Sequence, residues 1–290
     1  MRTLLLFLVG CGSSPAEDTD EKPAVCGDAG EVTVVADGLD GTEGIAFSPD
    51  GRLFVSEDTR VIEVFDDGST AEIAAFPHAI GLAWWGEALM VASFDTGEGV
   101  GGVFSLDVDT GVSSIFATDI DQANFLTVTP WDTLLVSDDF DVRIFEVSSE
   151  GDVSVWLDNV QSPNGMAFSP DGSTLYVAST FGLPAPIWEV PIDGQAAGTP
   201  VSLFEYDVSE VPDGLAMSAA GNPLVALNIG GHIDEVSAGS ATVVGDDLDT
   251  PASLAFGEGE WDPCSVYATS LFGDAVYRIT AGQLGDSPRR

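Results

Sequence analysis

Along most of this chain, apolar and polar residues alternate in short runs rich in β-branched and aromatic side chains. Each run is closed by Gly, Pro, Asp or Ser. A period of two with turn residues at both ends predicts strands, and no helical periodicity of useful length competes with it. One phrase of the pattern recurs. TEGIAFSPDG at 42–51 returns almost unchanged as SPNGMAFSPDG at 162–172, a short apolar strand between two turn signals.

The phrase occurs six times in looser form, starting at residues 44, 81, 125, 165, 214 and 253, which are 37, 44, 40, 49 and 39 residues apart. Such a period marks a repeat architecture. Each copy holds two strands around a turn. Each is followed by a third strand, such as VIEVFDDG, RIFEVSSEG or AVYRITAG, and five continue into a fourth. Four strands per unit and six units predict an all-β fold, a six-bladed β-propeller. The sixth copy runs out after its third strand near Ile279, and EVTVVAD at 31–37 supplies the missing one. The N-terminal strand would therefore complete the last blade and close the ring, leaving no open edge. The expected organisation is a signal peptide at 1–10, a lipidated Cys and disordered tether at 11–30, the propeller at 31–284 and a tail at 285–290.

The N-terminus MRTLLLFLVGC has one charged residue, an apolar run too short to span a bilayer, and a Leu-Val-Gly-Cys sequence ending at Cys11. That ending has the form of a bacterial lipobox, in which the Cys is lipidated and becomes the new N-terminus. An ordinary signal peptide with an incidental Cys is the alternative. Residues 12–30 are polar and core-poor, as a tether is. The expected location is the cell envelope, in the outer membrane, with membrane contact only through the lipid. In an oxidising compartment Cys26, just before the closing strand, and Cys264, in the same final blade, form an even pair. A bridge over so long a loop contributes about 5 kcal/mol on the chain-entropy model; two buried thiols are the alternative.

Charge narrows the partners. With 48 Asp+Glu against 8 Lys+Arg the net charge is −40, and Lys22 is the only lysine. Nucleic acid and anionic lipid headgroups are repelled. The acidity fits a salt-adapted surface or affinity for divalent cations. DDFD (138–141) and DDLD (246–249) read as solvated loops.

In a propeller the first strand of each blade lines the central channel, so the residue just before its apolar core sits at the mouth. Around the ring that position reads Glu43, Ile80, Asn124, Asn164, Asp213 and Ala252. Two carboxylates and two amide oxygens from four blades are hard ligands, suited to Ca²⁺ rather than Zn²⁺. Turn formation alone accounts for Asn164 and Asp213, each in a Pro-x-Gly setting, but poorly for Glu43 or for Asn124, which Phe125 follows. Other chemistries fare worse. The two histidines, His78 and His232, come without a G-x-S-x-G elbow. His78, two residues before the mouth of blade two, is a candidate base or substrate contact, and a loop histidine otherwise. His232 reads as structural. GEGVGG (97–102) precedes no helix and reads as a hairpin.

TEGIAFSPDGRLFV, SPNGMAFSPDGSTLYV, VPDGLAM and LNIGGHI resemble blades of the gluconolactonase / senescence-marker-protein (regucalcin) family over residues 31–282. Related propellers include diisopropyl fluorophosphatase, paraoxonase and strictosidine synthase. The resemblance implies a catalytic divalent cation, usually Ca²⁺, held by Glu43, Asn124, Asn164 and Asp213. It implies a monomeric hydrolase of small-molecule lactones or esters, with Asp213 orienting or deprotonating the attacking water. The family's third blade usually reads Asn-Asp with a basic residue two places before the Asn. Gln122 and Phe125 stand there instead, as candidate substrate contacts, and an apolar Phe125 favours a less polar ester or lactone. The rival reading is a non-catalytic, lipid-anchored propeller that binds a protein or glycan on its rim.

The lipobox generates the first prediction. Mass spectrometry of the membrane fraction should find the mature chain beginning at a lipid-modified Cys11. An unmodified Cys11, or a wholly soluble mature chain, overturns it.

Overall fold

The computed structural model describes residues 25–290 apart from positions 98, 288 and 290. The lipobox and Cys11 lie outside the described residues. Each repeated phrase folds into a hairpin whose two strands are β-branched and aromatic, and a third and fourth strand extend it into an antiparallel sheet. Six such sheets are the blades of a six-bladed propeller, with no helix among the described residues. The innermost strands, in blade order, are Thr42–Phe47, Ala79–Trp85, Ala123–Val128, Pro163–Phe168, Pro212–Met217 and Pro251–Phe256. Blade four carries an extra short hairpin, where Ala196–Ala197 folds back on the long third strand Ala185–Asp193.

The ring closes through its two ends. Val32–Ala36 pairs antiparallel with Val276–Thr280, placing Val32 opposite Ile279 and Val34 opposite Tyr277. Beside this pairing a disulfide joins Cys26 to Cys264, with 5.4 Å between their Cα atoms across 238 residues of sequence.

Blades hold together because each inner strand carries a small residue three places past the mouth position: Ala46, Ala83, Thr127, Ala167, Ala216 and Ala255. The space they leave admits the larger side chains of the next blade. Ala46 packs with Leu82 and Trp84, Ala167 with Leu215 and Met217, and Ala216 with Leu254 and Phe256. Interdigitation at this density makes the apolar faces one continuous interior.

The tail is part of the fold. Leu284 accepts the amide of Ala219, Gly285 bridges to Ser218, and the Asp286 amide donates to the Met217 carbonyl. Arg289 stacks on Phe168, 5.4 Å from the ring centroid, and donates to the carbonyls of Ser169 and Pro170. These contacts lay the tail across the channel end opposite the mouth. A cavity of about 180 Å³ lies between tail and channel wall, lined by Phe47, Trp84, Phe125, Phe168 and Phe256 among others.

Ring closure generates a stability prediction. Thiol alkylation of the unreduced protein should label neither Cys26 nor Cys264, and Cys264→Ser should lower stability by about 3–5 kcal/mol in denaturant titration. Two alkylated thiols before reduction rule the bridge out.

Candidate functional site

Five of the six inner strands start the same way. Two residues before the mouth position, the backbone is left-handed in five blades, at Gly41, His78, Ser162, Val211 and Thr250, with φ between 44° and 62°. Such a φ is costly for a β-branched residue, as Val211 and Thr250 are. In blade three the equivalent Gln122 instead donates its amide to Asp138 Oδ2 at 3.4 Å. Immediately afterwards all six inner strands carry a register shift against their partners, between Thr42 and Ile45 in blade one and at the matching places in the rest. A β-bulge places two residues opposite one and re-aims a side chain. Here it turns the mouth residue into the channel.

The residues so delivered are those the repeat picked out. Asn124, Asn164 and Asp213 are buried, and Glu43 is half-buried with its Oε2 sealed from solvent. Ile80 and Ala252 fill the other two places.

A fifth polar side chain joins them, and it corrects the reading of DDFD as a solvated loop. Asp138 is 1% and Asp139 6% exposed. Asp138 caps backbone amides, those of Phe140 and Gln122, while Asp139 takes a hydrogen bond from the Asn124 amide and feels the other site carboxylates. Asp141 is half-buried and paired with Arg143. DDLD is solvated at its three aspartates.

Electrostatics show how tightly the carboxylates are coupled. Burial, and then the charge of Asp139, push the Glu43 carboxyl up to about 8. Burial likewise pushes Asp139 up to about 7, against the hydrogen bond from Asn124. Asp213 is raised well above the ordinary carboxylate range by burial, then by Glu43 and Asp139, although Asn164 donates to it. Four buried oxygens of this group have no hydrogen-bond partner: Glu43 Oε2, Asp139 Oδ1, Asn164 Oδ1 and Asp213 Oδ1. Unpaired buried acceptors are costly, and a cation bound by Glu43, Asn164 and Asp213 would relieve three of the four.

Among the described residues, no three side chains drawn from His, Cys, Asp and Glu alone form a metal-binding group. The donors here mix carboxylates with amides, the composition of a hard, flexible oxygen site. The residues therefore fit a divalent cation such as Ca²⁺.

The other expected residues stand apart. His78 occupies the left-handed turn of blade two, is largely exposed, and pairs through Nδ1 with Asp58 Oδ1 at 2.7 Å. Its place follows from turn geometry, which His tolerates better than most residues. Phe125 lies beneath the mouth, in the wall of the cavity on the tail side, whose lining includes none of the five site residues. Gln122 is at the mouth, held by Asp138. His232 is structural, its Nδ1 3.0 Å from the Gly230 carbonyl and its Nε2 3.6 Å from Asp234 Oδ1.

Asp139 and Asn228 escaped the repeat reading because they lie at the end of the second strand. That position also repeats. Asp139, Thr180 and Asn228 each follow the residue paired with the start of the inner strand. Thr180 Oγ1 donates to the Pro212 carbonyl at 2.9 Å, and Asn228 Nδ2 lies 3.5 Å from Asp213 Oδ2.

Comparison with known proteins agrees with this geometry. Residues 122–262 match the model of the SMP-30/Gluconolactonase/LRE-like region. That span contains Asn124, Asp139, Asn164 and Asp213. Nearly half of this chain, a six-bladed propeller, thus resembles that region. This propeller superposes on a gluconolactonase from Xanthomonas campestris with a TM-score of 0.74 and 18% identity, covering 89% of this chain and 91% of that one. Against regucalcin from Agrobacterium tumefaciens, described as a calcium-binding protein, the values are 0.71 and 19%, covering 88% and 94%. The PQQ-bound aldose sugar dehydrogenase of Streptomyces coelicolor shares the fold at 0.67 and 14%, covering 88% and 99%. No curated protein matches the chain in sequence. At such identities the structures share a fold, and chemistry has to be argued from the site.

If the mouth residues hold Ca²⁺, Asp213→Asn keeps shape and turn but removes a charge. Calorimetry should then show affinity reduced by about two orders of magnitude with the fold intact. Asp246→Asn, in an exposed loop, should bind as wild type does. Equal affinity in all three proteins overturns the site.

Proposed function

We propose that this protein is a divalent-metal-dependent hydrolase of lactones or esters, exported and anchored through Cys11. The observation that carries the proposal is the set of partnerless buried oxygens that Glu43, Asn164 and Asp213 turn to one channel mouth, with the Asp139 carboxylate beside them. The likeness to a gluconolactonase supports the reaction class, and the Cys26–Cys264 disulfide supports an oxidising compartment.

Glu43, Asn124, Asn164 and Asp213 would hold the cation. When bound, a divalent cation polarises an acyl carbonyl and stabilises the oxyanion that forms on it. The rest falls to the chain. Ile80 and Ala252 keep two sides of the mouth apolar and limit competing water. A carboxylate must take the proton that the attacking water sheds. Asp139 suits that task better than Asp213. Burial raises its proton affinity, as a general base working near neutral pH needs, whereas Asp213 is repelled by both neighbours and is the charge a cation most needs. Water oxygen bonds to the acyl carbon, the acyl C–O bond breaks, and the proton passes through Asp139 to the leaving alkoxide. The acid so formed releases its remaining proton to solvent at neutral pH, and a chain of net charge −40 expels the resulting carboxylate.

The test is a panel of lactones and carboxylic esters assayed on Ca²⁺-loaded and chelator-stripped protein. Hydrolysis of at least one compound, lost on stripping and regained with Ca²⁺, is expected; no turnover of any overturns the reading. Within it, Asp139→Asn should lower kcat by about 10²–10⁴-fold and abolish the acidic limb of the pH profile while Ca²⁺ still binds. A wild-type rate in that variant returns the role of base to Asp213.

A further inference from the structure

A second repeated feature surrounds the same mouth. The loops that leave the second strands present Phe94, Phe140, Phe181, Ile229 and Phe272 in blades two to six. Phe140 is 67%, Phe181 53% and Phe272 74% exposed. Three of the side chains form a continuous strip. The rings of Phe94 and Phe140 are 6.4 Å apart, and those of Phe140 and Phe181 5.7 Å, so aromatic contact runs unbroken over blades two, three and four. The strip also borders the site. Phe140 directly follows Asp139, and Phe181 follows Thr180, whose hydroxyl holds the Pro212 carbonyl next to Asp213.

Exposed aromatic rings in contact at a site mouth mark a binding surface, and the charge of the chain says what kind. At −40, a second copy of the chain or an anionic membrane meets repulsion. An uncharged apolar ligand does not. Rings from three blades lying end to end offer a track along which an alkyl chain buries its methylenes while its head group reaches the mouth.

We propose that Phe94, Phe140 and Phe181 form the recognition surface for an uncharged acyl compound bearing an alkyl chain, so that the ligand is an alkyl-substituted lactone or ester rather than a polyhydroxylated one. The acyl character of the head group rests on the hydrolase reading above. The alkyl preference rests on the strip alone.

Binding and turnover separate the two. With Ca²⁺ present, calorimetry compares 2-pyrrolidinone with a γ-lactam bearing a six-carbon chain, neither of which is a substrate. The alkyl lactam should bind at least tenfold more tightly, since each buried methylene is worth about fourfold. Phe140→Ser with Phe181→Ser should erase most of that preference without changing the melting temperature, because both rings are exposed. Equal affinity for the two lactams, or a preference the double variant retains, overturns the proposal. So does a dimer that the double variant dissolves, which would assign the strip to a second copy. Hydrolysis of γ-butyrolactone and of its counterpart bearing the six-carbon chain is read in parallel. Alkyl preference without any turnover upholds the strip and defeats the hydrolase; turnover indifferent to chain length does the reverse.

Discussion

The bulge at the start of each inner strand is the constraint on which the rest of the molecule depends. It forms where neighbouring blades approach most closely, and glycine makes the approach possible. A Cβ on Gly44 would stand 2.3 Å from the Ile80 carbonyl oxygen, one on Gly81 2.1 Å from that of Asn124, and one on Gly165 2.3 Å from that of Asp213. Each glycine therefore faces the carbonyl of the next blade's mouth residue. Hydroxyls on the second strands complete the joint. Ser56 accepts the Gly44 amide and donates to the Ile80 carbonyl; Thr269 accepts the Ser253 amide and donates to the Glu43 carbonyl. The residue that points into the channel is thus the one whose backbone ties two blades together. Loosening the joint would move the ligand set and the blade packing at once.

This coupling explains how the fold tolerates three buried carboxylates whose proton affinity is raised. Burial without a counter-charge is expensive, and such groups protonate rather than stay ionised. The scaffold meets that cost with the interdigitated apolar faces and with a ring that has no loose end, its terminal strands paired and bridged. Stability comes from the packed faces and paired strands of the blades, and the candidate chemistry from the first residues of the innermost strands with Asp139 at the end of a second strand. A propeller can therefore carry very different sites, and the PQQ-bound aldose sugar dehydrogenase shares this fold.

Much of this was legible in the sequence, for physical reasons that differ by element. The sixfold phrase exposed the blades because each must bury the same two faces against its neighbours, and the closing strand followed from a count that came out one short. Glu43, Asn124, Asn164 and Asp213 were legible because they share one register position. Asp139 was not. In sequence it sits in a run of acids, DDFD, and runs of like charge belong in solvent unless tertiary structure intervenes. What intervenes is the bulge opposite, which brings the end of the second strand to the mouth. Phe125 misled in the other direction. Its neighbour Asn124 points to the mouth, so the alternation of the strand carries the Phe ring to the channel wall on the tail side.

The asymmetry of the mouth is the last consequence. Blade one faces blade four across a six-membered ring, so Glu43 stands opposite Asn164, with blades two and six on either side of it. Those two blades present Ile80 and Ala252. Glu43 therefore has an apolar residue on each flank and polar donors only across the axis. That arrangement accounts for burial, ahead of any neighbouring charge, as the main cause of its raised proton affinity. It also gives the site a direction. Carboxylates and amides of blades three, four and five lie beneath the Phe140–Phe181 strip, while the far wall offers Ile80 and Ala252, which can neither hydrogen-bond a sugar hydroxyl nor stabilise a charge. A ligand whose polar end sits among the oxygens has apolar surroundings on both remaining sides. The arrangement suits a molecule with one acyl group better than one with a hydroxyl on every carbon.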